Sequence, residues 1–111
     1  MGSNVDLCRK RAVTELGNKL VIAGTQVAEL VNELKPSKSN VTLDTELLLK
    51  GQLQQVTSTE WIMYKPRWGA FYATPLEKPL HELNTNTAVT CRCNFPNCPR
   101  TTVYEASERD F

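Results

Sequence analysis

Between Val13 and Leu34 the apolar residues Val13, Leu16, Leu20, Ala23, Val27, Leu30 and Leu34 fall alternately three and four positions apart. That spacing lines one face of a helix. No proline interrupts Val5 to Leu34, so the pattern predicts a helix over about 5–34. Asp6 is a candidate cap or first-turn acid, where the positive helix end favours it. Pro36 closes the element, because the residue before proline avoids helical dihedrals. Gly17 and Gly24 oppose it, since each costs about 1 kcal/mol relative to alanine in a helix interior. A helix interrupted near Gly24 is the alternative. The stripe suits either a core-facing helix or a self-association seam that would form a homodimer through residues 13–34.

A polar loop from Ser37 to Asn40 leads to a second helical pattern. Asp44 and Glu46 sit in its first turn, and Leu43, Leu47, Leu48, Leu49, Leu53 and Val56 supply apolar surface. A helix is expected over about 43–56, with Gly51 either ending it or lying inside it. The short loop allows the pair to fold back as a helical hairpin.

From Thr57 the pattern changes to aromatic and β-branched residues punctuated by Pro66, Pro75, Pro79, Pro96 and Pro99. Glu60–Tyr64 and Ala70–Thr74 read as strands joined by Lys65–Gly69, a β-hairpin over 60–74. Thr74 to Asn86 reads as an irregular connection with a helical turn around Leu80 to Leu83. Thr87–Cys93 and Thr101–Ala106 read as a second hairpin within 87–106. The tail, 107–111, is expected to fray. The expected class is therefore α+β in a single domain: an N-terminal helical hairpin beside a small antiparallel β unit.

Composition narrows the function classes more than it selects one. The chain has 111 residues, 41% hydrophobic and 23% charged, which is an ordinary globular balance. A net charge of +1 creates no field for nucleic acid or anionic membrane. No apolar run approaches the roughly 18 residues of a membrane span, and the start of the chain shows no apolar signal region. A cytoplasmic or other reducing compartment is expected. The mixed features suit a viral or phage accessory protein, an expectation about source only.

Cys91, Cys93 and Cys98 place three of the four cysteines within eight residues. A C-x-C pair in a strand points both side chains to one face, and Pro96-Asn97 is turn chemistry that can bring Cys98 back. Three thiolates need a fourth ligand to complete a tetrahedral structural Zn²⁺. His81, the single histidine, is the expected one, and Cys8 is the other candidate. The spacing C-x-C-x4-C resembles the zinc knuckle that follows the catalytic domain in SET methyltransferases. The likeness covers these eight residues, with Asn94 where glycine is usual. It implies a structural ion at the tip of the second hairpin and carries no methyltransferase activity with it. Reduced, unliganded thiols and disulfide pairing are the alternatives.

Five of the eight aromatics lie between Trp61 and Tyr72. Trp61, Tyr64, Arg67, Trp68 and Tyr72 form a candidate binding set, because aromatic and arginine side chains dominate protein–protein hot spots. The same residues interleaved with Lys65 suit single-stranded nucleic acid, helped by Arg9-Lys10-Arg11, Arg92 and Arg100. Core packing of Trp61, Met63 and Phe71 is the structural alternative. No phosphate-binding glycine loop, H-E-x-x-H or G-x-S-x-G is present. The expected function is a zinc-stabilised, non-enzymatic module that binds another protein as adaptor, inhibitor or accessory factor. A nucleic-acid-binding regulator and a thiol-redox protein are the alternatives.

Overall fold

The computed structural model describes residues 7–15, 24–35, 40–92 and 95–111. The fold is α+β. Among the described residues, α1 (Leu7–Thr14), α2 (Thr45–Leu49), α3 (Glu77–Glu82) and α4 (Cys98–Ser107) accompany a two-stranded antiparallel sheet of β1 (Gln54–Gln55) and β2 (Trp61–Ile62). Gln54 pairs with Ile62 and Gln55 with Trp61.

The long N-terminal helix is not continuous. Gly24 adopts φ +80°, and among the described residues 24–35 the helical structure is limited to single 3₁₀ turns at Gln26–Ala28 and Asn32–Leu34. A left-handed glycine stops a helix, and the β-branched Thr25, Val27 and Val31 do little to restart one. The three-and-four spacing therefore does not gather Val27, Leu30 and Leu34 on one helical face. Val27 and Leu34 are exposed. Leu16, Leu20 and Ala23 of the stripe lie outside the described residues.

The second helix begins at Thr45, two residues after the expected start, and is short. The Asp44 carboxylate accepts from the Leu47 amide at 3.0 Å and caps it. Gly51 ends it in the left-handed region, φ +76°, with its amide on the Leu48 carbonyl and the Gln52 amide on the Leu47 carbonyl. That bond pair is the Schellman stop. The chain released by it forms β1, so the helix predicted to reach 56 gives way to a strand at 54. The Gln54 side chain fastens this strand. Its Oε1 accepts from the Asp44 amide and its Nε2 donates to the Thr42 carbonyl, both at 2.8 Å.

The same stop recurs twice. After α3, Asn84 has φ +53°, and the Asn84 and Thr85 amides bond His81 and Leu80 carbonyls. After α4, Asp110 has φ +62°, and the Asp110 and Phe111 amides bond Ser107 and Ala106 carbonyls. This last stop turns Phe111 back onto the core. The C-terminal residues expected to fray are folded in, with Phe111 stacked on Phe71 at 5.7 Å.

Two further strand expectations are overturned. Thr101–Ala106 is helix, inside α4. Pro99 occupies its first turn, and the Thr101 and Thr102 hydroxyls donate back to Asn97 and Cys98 carbonyls. Buried Ala106 packs with Ala70 and Phe71, and that packing outweighs the β preference of a Thr-Thr-Val-Tyr run. Ala70–Thr74 is not a return strand either: β2 pairs with β1, and 66–74 is a compact irregular loop. The knuckle-bearing second hairpin is likewise not formed, because 87–92 carries no strand and its intended partner is helical.

The core follows from these facts. Ala70, Phe71 and Ala106 are buried together, with Met63, Leu76, Leu80 and Phe111 packed against them. Met63 also lines a mainly apolar groove of about 330 Å³ between Ala28, Leu30, Leu43, Leu48 and Ile62. It thus joins the C-terminal core to the cover provided by α2.

Candidate binding surface

The site is built on loop 66–74, whose residues divide sharply between core and solvent. Pro66, Gly69, Ala70 and Phe71 are buried, whereas Trp68 and Tyr72 are each 51% exposed. A loop of this shape needs its backbone groups satisfied. Lys65 Nζ donates to the Arg67 carbonyl at 2.8 Å and to the Trp68 carbonyl at 2.9 Å. The Thr74 hydroxyl donates to the Ala70 carbonyl. From α4, Glu105 Oε2 accepts from the Phe71 amide at 2.9 Å. The loop is therefore fastened at its entry, its exit and its buried turn.

Gly69 is what lets Glu105 reach. A Cβ built at this position would overlap the Glu105 carboxylate. The charged acceptor can thus lie against the backbone and meet the Phe71 amide, a stronger bond than a neutral one. Arg109 ties the same helix to α3. Its Nε donates to Glu77 of α3 at 3.0 Å and its Nη1 to the Glu105 carbonyl at 2.7 Å. Its guanidinium lies 5.2 Å from the Phe71 ring centroid, within cation–π range.

The predicted binding residues separate accordingly. Trp68 and Tyr72 face outward on the fastened loop. Half-buried Arg67 places its guanidinium 5.6 Å from the Tyr72 ring centroid. Trp61 is 37% exposed at the end of β2, so it is not the core residue it could have been, and Tyr64 is half-buried. Met63 and Phe71 do enter the core. The positioning residues Glu105, Gly69, Lys65 and Arg109 carried no sequence motif. A glycine within an aromatic loop was the one available hint of a close approach.

The predicted metal ligands are arranged differently. Cys91 is exposed and Cys98 half-buried, and neither is in a disulfide. His81 lies with its ring 4.9 Å from Phe111 and Nε2 3.6 Å from Glu77 Oε1. Among the described residues no three His, Cys, Asp or Glu side chains come together as a metal site, so His81, Cys91 and Cys98 are not so gathered. Cys93 lies outside the described residues, and the orientation of Cys8 is likewise undescribed. Among the described residues no helix is long and apolar enough to cross a membrane.

Compared with known proteins, the chain matches no family model, no curated protein and no solved structure.

Proposed function

We propose that the chain is a protein-binding module whose contact surface is centred on Trp68 and Tyr72, with Arg67 over the Tyr72 ring and Trp61 and Tyr64 as further candidates. One observation carries this reading: two large aromatic side chains stand half in solvent on a loop whose backbone is tied down by Lys65, Thr74 and Glu105. Rings held out on a fixed backbone lose little conformational freedom on binding. Tryptophan, tyrosine and arginine are the residue types that concentrate binding energy. The fold's own packing uses Phe71, not these two rings.

Trp68→Ala is expected to weaken partner retention about 30-fold, the effect of a roughly 2 kcal/mol hot spot. Tyr72→Ala should act in the same direction, and both variants should keep the thermal transition of the parent, since surface changes usually stay within about 0.5 kcal/mol. Quantitative affinity purification from the native source, comparing variants with parent, checks this. An unchanged set of retained proteins at unchanged stability would remove the proposal. Trp68-dependent binding of a single-stranded oligonucleotide, falling steeply with salt, would instead favour the nucleic-acid reading.

The thiol-bound Zn²⁺ is a separate proposal and rests on donor chemistry alone. Elemental analysis of protein purified without chelators is expected to give one zinc per chain, lost in a Cys91→Ser, Cys98→Ser double variant. A metal-free parent protein retires it.

A further inference from the structure

The groove beside α2, about 330 Å³, lies in the size range of small-molecule sites, about 300–1,000 Å³. Leu30, Leu43, Leu48, Leu49, Ile62 and Met63 form its walls, so its interior is aliphatic. Among the described residues that line it, Lys65 is the single charged one, accompanied by the hydroxyl-bearing Tyr64 and Thr45. The chain leaves β2 at Ile62, and Ile62, Met63, Tyr64 and Lys65 all reach the groove in succession. Polarity therefore rises along one edge, from the apolar pair to the polar pair.

An ammonium carries three N–H donors. Lys65 gives two of them to the Arg67 and Trp68 carbonyls, at 2.8 and 2.9 Å. Carbonyls satisfy donors but leave the charge in place. Among the described residues no carboxylate pairs with Lys65. The carboxylates of Glu29 and Asp44 are engaged by the Leu43 and Leu47 amides. The Tyr64 and Thr45 hydroxyls have no hydrogen-bond partner among the described residues. An aliphatic slot edged by one cation without a counter-ion and two unused hydroxyls complements an alkyl chain that ends in an anionic acceptor.

We propose that this groove binds a free medium-chain alkyl carboxylate. The chain lies between α2 and Ile62-Met63, and the head accepts from the third Lys65 N–H. Volume sets the length. At about 30 Å³ per water-sized group the groove holds about ten, and a methylene is close to that size, so chains of about eight to ten carbons fill it. The proposal does not rest on the Trp68 and Tyr72 surface.

The chain has two methionines, Met1 and Met63. Methyl-labelled methionine therefore gives one NMR reporter in the groove, assigned by its loss in Met63→Leu. The whole chain is titrated with hexanoate, octanoate, decanoate and dodecanoate, each below the concentration at which it self-assembles. The Met63 methyl signal is expected to shift saturably. The dissociation constant should fall about fourfold per added CH₂, the equivalent of about 0.8 kcal/mol, and level off beyond decanoate. Decyltrimethylammonium, with the same chain length and the opposite head charge, should bind about tenfold more weakly or worse. Ala28→Phe places a ring in the groove and should abolish the ligand shift. Lys65→Met keeps the aliphatic stem and should remove the preference for the anionic head. That preference is a comparison of two ligands on one chain, so a loosened loop in the variant cancels from it. A Met63 signal unmoved by every acid overturns the proposal, as does equal binding of both heads by the parent chain. Decanoate binding unchanged by Ala28→Phe would place the ligand elsewhere and equally overturn it.

Discussion

Phe71→Ala is expected to lower the free energy of unfolding by about 3–5 kcal/mol, the range for truncating a buried phenylalanine. The reason is concentration of contact. Phe71 is 7% exposed and sits among Ala70, Ala106, Met63, Leu76, Leu80 and Phe111. Its ring stacks on Phe111 and lies under the Arg109 guanidinium. Leu48, Ala70 and Ala106 are the other buried hydrophobics among the described residues, so little remains to close the cavity. A small domain has only about 5–15 kcal/mol in total. Each lost kcal/mol lowers the melting temperature of a domain this size by about 4–8 °C. Urea denaturation of Phe71→Ala beside Phe71→Leu and Tyr72→Ala checks the assignment. Phe71→Leu keeps most of the apolar volume and should cost much less, and Tyr72→Ala almost nothing. A Phe71→Ala change below 1 kcal/mol, or a larger one at Tyr72, would place the core elsewhere.

Phe71 and Tyr72 are adjacent and chemically alike, and they show where sequence reasoning stopped. The aromatic band from 61 to 72 was visible as composition, but its division between core and solvent was not. Period-2 alternation would have decided the faces of a strand, and no strand is there. The inward turn of Gly69-Ala70-Phe71 is set by Glu105, more than thirty positions along the chain. Such partners leave no local trace.

Signals written within a few residues fared better. Asp44, read as a first-turn acid, is the cap one position before the helix, and Gly51, read as either stop or interior, is the stop; both follow from local backbone chemistry and both bound α2. The stops at Asn84 and Asp110 use the same hydrogen bonds with residues less committed to positive φ than glycine, and so were missed. The heptad spacing before Leu34 records only positions along a line. It predicts a face if the chain is one helix, and Gly24 breaks that condition. The run 98–106 is the opposite case: Pro99 announced a helix start, but the β-branched threonines masked it until packing by Ala106 decided the outcome. The expected position of the thiols is a related case: among the described residues His81, Cys91 and Cys98 are not gathered, while Cys93 lies outside them. The expected strand pairing between 87–93 and 101–106 was to hold the thiols together, and helix α4 removes that frame.

Gly69→Val is the second large effect, about 2.5–6 kcal/mol. Gly69 does not adopt a positive φ, so backbone strain is not the obstacle; space is. The new side chain claims the volume held by the Glu105 carboxylate. That group ends a flexible side chain and can swing away, but doing so abandons the Phe71 amide, at about 1.5–3 kcal/mol for a bond to a charged acceptor. The remaining valine carbons overpack the buried turn, adding about 1–3 kcal/mol. A double-mutant cycle separates the two contributions. In a Glu105→Ala background the carboxylate bond is already gone and room has opened, so Gly69→Val should cost less by about 1.5–3 kcal/mol. Equal cost in both backgrounds would mean that some other neighbour occupies the space. The cycle also reaches function, because Trp68 and Tyr72 are held on either side of this turn. Glu105→Ala leaves both aromatic side chains intact yet frees the backbone between them. If rigid presentation is what makes them a binding surface, partner retention should fall in Glu105→Ala at temperatures where the protein remains folded.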